Sequence, residues 1–153
     1  METTTHASRS STQPLARWMR IVGVFYLAQF VAMAFVRAPI RTFGPEGALD
    51  AANAGDPIAE FLVDTWTTFG LEVGAIGVAL VAAAARPRYS WGVAATVLGI
   101  ELTRGIVNDV IFIARGIEVA GYLVWIVIHS VVIVTGLVAM RRSSTARTDT
   151  APA

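Results

Sequence analysis

Five side chains able to do chemistry, Glu101, Arg104, Asn108, Asp109 and Arg115, stand in one otherwise apolar run, GIELTRGIVNDVIFIARG from Gly99 to Gly116. A carboxylic acid held at the midplane beside a histidine is raw material for proton transfer. On a helix turning ~100° per residue, Glu101, Arg104, Asn108 and Arg115 fall within roughly 60° of one another, while Asp109 sits about 80° round from Glu101. Each ionised side chain near a bilayer centre costs at least ~2.5 to 3.5 kcal/mol, so this face must turn toward protein or a wet cavity. Other apolar runs supply further candidates: Glu72 and Asp64 in DTWTTFGLE, and His129 in VWIVIHS.

The chain of 153 residues is 55% hydrophobic, which makes it one domain and too apolar for an ordinary soluble one. An integral membrane protein is expected. The net charge of +1 says little, because every one of the twelve basic residues is arginine and their placement carries the information. Nothing points to nucleic acid. With no cysteine there are no disulfides, thiolate metal sites or thiol nucleophiles.

Four apolar runs predict four membrane-spanning helices, over residues 15–36, 58–85, 91–114 and 122–140. The first is read as retained and not as a signal peptide, with Arg17, Trp18 and Arg20 as interfacial anchors at its entrance. Residues 37–57, rich in proline and glycine, are expected to form a long external loop. Residues 1–14 and 143–153 are expected to be disordered cytoplasmic tails, with His6 a solvated tail residue. In the second run Gly70 and Gly74 make a GxxxG spacing continued by Gly77, a surface for close helix packing and a candidate face for homo-oligomerisation.

Arginine placement sets the orientation. Arg9, Arg17, Arg20, Arg86, Arg88, Arg141, Arg142 and Arg147 lie on the tails and the second-to-third hairpin, against Arg37, Arg41 and Arg115 on the other side. Both termini should be cytoplasmic in a bacterial inner membrane, around a four-helix up-and-down bundle. At ~1.5 Å per residue, Glu101 lies about 15 Å from the cytoplasmic start of its helix, Glu72 about 16 to 21 Å and His129 about 12 Å from the outer starts of theirs. All three come near the midplane. Gln29, Asp64, Trp66, Thr68, Asn108, Asp109, Arg115 and Tyr122 then line an outward-open polar pocket above them. Its acids outnumber its cations, so an unmatched carboxyl keeps its proton in the low-dielectric interior.

Other chemistry fits poorly. One intramembrane histidine without cysteine argues against zinc or haem, and neither metal nor cofactor is expected. GLEVGAIG follows no strand and is no phosphate loop. Ser130 faces about 100° away from His129 on a helix and makes no nucleophile and base pair with it.

The runs LVDTWTTFGLEVGAIG, GIELTRGIVNDVIFIARG and YLVWIVIHSVVIVTGL resemble the BphX-like family of small four-helix bacterial membrane proteins, over about residues 15–142. The resemblance implies a membrane bundle and a link to hydrophobic compounds such as aromatics. It brings no agreed activity, and no catalytic residue is carried over from it.

Three functional readings follow from the residues. In the first, the protein is a cofactor-independent intramembrane isomerase or cyclase acting on an isoprenoid, sterol-like or aromatic compound. There Glu101 donates a proton while held by Arg104, Glu72 or His129 accepts one, and Asp64, Asn108 and Asp109 orient polar groups. In the second it is a non-catalytic carrier or accessory subunit that binds a hydrophobic ligand or conducts protons. In the third, Glu101 and Arg104, three residues apart, are structural glue, with Glu72 and His129 completing a satisfied network.

Overall fold

The computed structural model describes residues 13–43, 46–117 and 119–148, and among these every regular element is a helix. In chain order they are α1 (Gln13–Ala34), α2 (Ala38–Phe43), α3 (Ala48–Asn53), α4 (Pro57–Ala84) and α5 (Pro87–Ile100). A π-helical segment, Glu101–Val107, joins α5 to α6 (Asn108–Ala114), and α7 (Val119–Thr148) ends the series. Three of these are long and apolar enough to cross a membrane: α1, α4 and α7 through Ser144. Many of their large side chains, Val24, Val31, Val78 and Val134 among them, are exposed, as expected of helices solvated by lipid.

The helix ends follow local chemistry. Asp56 caps α4, its carboxylate accepting from the backbone N–H of Ile58 (3.0 Å) and Ala59 (2.9 Å), and Pro57 occupies the first helical position. Pro87 likewise opens α5. Ser90 Oγ donates to the carbonyl of Ala83 at 2.8 Å, satisfying an end group of α4 that the helix leaves unpaired. The turn into α7 passes through Gly116 at φ +76°, a left-handed conformation that glycine adopts without strain.

The chain divides into two units, residues 23–79 and residues 1–22 with 80–153. Within the first, Gly70, Gly74 and Gly77 lie against α1: a Cβ on them would stand 2.9 Å from Met33 Cβ, Phe30 Cγ and the Gly23 carbonyl oxygen respectively. The GxxxG surface therefore packs against the chain's own first helix. The expected external loop also folds. Ile40 of α2, Ala48 of α3 and Val63 of α4 form a small core, with Leu49, Ala52, Leu62 and Trp66 packed on it.

In the second unit Trp18 is buried, correcting its reading as an interfacial anchor; its indole N–H donates to Thr135 Oγ1 at 3.1 Å. Gly136 permits that approach, since a Cβ there would come within 2.7 Å of Trp18 Cζ2 and Leu98 Cδ2. The last helix runs on to Thr148, past the expected end at Met140, with Ser143 buried beside Ala139 and Met140. Extending an existing helix adds one bond per residue without the cost of nucleation, so RRSS continues what the apolar run begins. Of the expected tails at 1–14 and 143–153, Gln13 and Pro14 begin α1, and residues 1–12, His6 included, and 149–153 lie outside the described residues.

Candidate functional site

The second unit brings Glu101, Asp109 and His129 together. Glu101 opens the π-helical segment and Asp109 is the second residue of α6; both are buried, with 4% and 6% of their surface exposed. His129 reaches them from α7. Its Nδ1 lies 2.6 Å from Glu101 Oε2, a short hydrogen bond. Its Nε2 lies 3.7 Å from Asp109 Oδ2 on the opposite side of the ring.

The winding of the π-helical segment explains how two acids eight residues apart meet one imidazole. A regular α-helix would leave Asp109 about 80° from Glu101, facing elsewhere. A π turn holds about one residue more, which winds the chain back by roughly 100° and leaves the two carboxylates within about 20° of each other. Gly105, midway between them, falls on the same face, and all three are buried. Arg104 and Asn108 rotate away from that face. Arg104 has an exposed side chain and Asn108 a half-buried one, so the polar face expected of a uniform α-helix is replaced by a Glu101, Gly105, Asp109 face.

Gly105 is the seat of the imidazole. A Cβ on it would stand 2.6 Å from both Cγ and Nδ1 of His129, closer than any side chain tolerates. Trp125, one turn before His129, packs near the ring with centroids 6.0 Å apart. Tyr122 packs on Phe112, centroids 5.1 Å apart, closing the α6 and α7 hairpin near its turn.

Other expected site residues have different surroundings. Arg115 is exposed at the end of α6. Gln29, Asp64, Trp66, Thr68 and Glu72 belong to the unit of residues 23–79, where Asp64, Thr68 and Glu72 have exposed side chains and Trp66 packs on the small core. Glu101 is hydrogen-bonded to His129. Gly105 was missed altogether. Its signal, a glycine four residues from each of two acids, means nothing until the helix is known to change its winding. Among the described residues no group of three or more histidine, aspartate or glutamate side chains is placed to hold a metal ion.

A family model described as BphX-like matches residues 12–145 of the chain. No curated protein and no solved structure matches it.

Proposed function

The chain belongs to the BphX-like family, and from that premise we propose that it is a four-span protein of the bacterial inner membrane that performs acid/base chemistry on a hydrophobic small molecule. The observation that carries this reading is the part-buried hydrogen bond between Glu101 and His129, with Asp109 at the other ring nitrogen. A carboxyl and an imidazole 2.6 Å apart form a donor and acceptor pair of the kind that protonates one carbon of a polyene or aromatic and deprotonates another. Glu101 is the proton donor and His129 its partner. Arg104, Asn108, Arg115 and Tyr122, which belong to the same unit, are the further polar side chains offered to the ligand. Isomerisation or cyclisation of an isoprenoid, sterol-like or aromatic compound needs no more than this, and neither a cofactor nor a redox partner enters the balance.

Four crossings put both ends in the cytoplasm, where the arginine-rich segments belong. The π-helical segment supports a functional reading over a purely structural one, because such insertions concentrate at functional sites and a packing role does not require one.

Mass spectrometry of lipid extracts tests the proposal in cells carrying the gene, lacking it, or carrying Glu101→Gln. A compound transformed only with the unaltered protein is the expected result. Accumulation of an unchanged compound points to a carrier, and identical extracts in all three strains sink the reading.

A further inference from the structure

Asp109 has an unexplained oxygen. Its side chain is only 9% exposed, and Oδ2 is buried without a hydrogen-bond partner among the described residues. Such an atom costs about 1 to 3 kcal/mol when left unmatched, and native structures seldom keep one without a use. One donor candidate is His129 Nε2 at 3.7 Å, beyond the ~2.7 to 3.2 Å of an N–H to oxygen hydrogen bond. Less than one ångström of ring travel closes that gap. The ring rests on the bare backbone of Gly105, where no side chain stands in its way.

We infer that His129 relays a proton between Glu101 and Asp109, with Asp109 the acceptor at the far ring nitrogen. This rests on the acid/base reading of the site and on no particular substrate. In the starting state Glu101 is the neutral acid, the imidazole carries its proton on Nε2, and Asp109 is the carboxylate. The Glu101 Oε2–H bond breaks as its proton joins the Nδ1 lone pair, while the Nε2–H bond breaks and that proton goes to Asp109 Oδ2. Afterwards Glu101 is the carboxylate, the imidazole carries its proton on Nδ1, and Asp109 is the neutral acid. One proton has left Glu101 and one has arrived at Asp109, net charge is unchanged, and no bond between heavy atoms is made or broken. Which tautomer the ring adopts is set by the partner of the opposite nitrogen, so the two carboxyls control it jointly. The transfer runs along the helix and not across it, since the two acids are eight residues apart on one face.

His129 and His6 are the two histidines in the chain, so in a His6→Asn background a ring-nitrogen spectrum of 15N-histidine-labelled protein in lipid nanodiscs reports His129 alone. Both nitrogens should give shifts averaged between protonated and bare, the mark of two tautomers in exchange. In Asp109→Asn the average should collapse to one tautomer, with Nδ1 still hydrogen-bonded to Glu101. A single fixed tautomer or a static imidazolium in the unaltered ring overturns the relay, as does an Asp109→Asn spectrum that stays averaged. Should Asp109→Asn not fold, the spectrum of the parent decides alone. Unchanged lipid extracts would remove the substrate reading and leave this result standing, so the two failures are distinguishable.

Discussion

Gly105 is the residue on which the site's geometry turns, and its replacement gives a prediction whose sign is informative. Glycine inside an exposed helix normally costs about 0.5 to 1 kcal/mol relative to alanine, so Gly99→Ala, where a Cβ meets nothing within 4 Å, should stabilise the protein by that amount. Gly105→Ala should do the opposite. The added methyl must displace the imidazole or the helix, costing about 1 to 3 kcal/mol of overpacking, and should lower product formation at least tenfold. Unfolding in detergent and the lipid extracts measure the two effects; equal behaviour of the two variants would mean that the ring does not rest on Gly105. A second pair of variants separates chemistry from glue. His129→Leu leaves two buried carboxyls without their partner and should destabilise by about 1 to 3 kcal/mol. Converting Glu101 to Leu as well removes one orphan and should restore part of that loss. The purely structural reading expects function to return with stability, whereas the proposed chemistry expects the doubly substituted protein to fold and produce nothing. Depth placed Glu72, Glu101 and His129 alike near the middle of their apolar runs, so the sequence offered Glu101 and His129 as candidates without singling them out as a pair.

At the scale of the element, Asp109 shows where the sequence stops being readable. Its position about 80° from Glu101 follows from uniform α-helical winding, and nothing in ELTRGIV announces that the winding changes. The change becomes favourable only when α7 supplies a histidine for both acids to face, which is information from another helix. The short helices α2 and α3 escape for a related reason: six residues are too few for an apolar period to show, and their small core closes only against Val63 of α4. An extra residue in a helix can be removed. Deleting Val107, exposed at the end of the π-helical segment, should restore regular α winding and leave Asp109 seven residues after Glu101, still within about 20° of it. The deletion variant should keep its fold and the Glu101 to His129 hydrogen bond. Inserting one alanine after Val107 instead turns Asp109 a further ~100° off the face and should abolish its effect on the His129 spectrum. If insertion and deletion act alike, the π-helical segment does not set the register of the two acids.

For the whole molecule, the open quantity is the number of crossings. Helices α1, α4 and α7 qualify as spans by length and composition, whereas the arm made of α5, the π-helical segment and α6 carries Glu101, Arg104 and Asp109. Three charges exposed to lipid would cost at least ~7 to 10 kcal/mol even on the lenient insertion scale. Two of the three, Glu101 and Asp109, are instead buried against His129, which together with the exposed Leu102, Val107, Val110 and Ile111 lowers the cost of the proposed fourth crossing and leaves Arg104 as its exposed charge. The absence of cysteine makes this directly measurable, because single cysteines can be introduced without a background. Asp50→Cys on α3, Tyr89→Cys on α5 and Ser144→Cys on α7 all replace exposed side chains. With four crossings, an impermeant maleimide added to intact spheroplasts should label position 50 alone, and positions 89 and 144 should react only after permeabilisation. If the arm enters and leaves on the same side, there are three crossings, and position 144 reacts from outside while position 89 stays protected. That result would put the C-terminal arginines on the wrong side for the positive-inside rule and would remove the membrane midplane as the setting of the Glu101 and His129 pair.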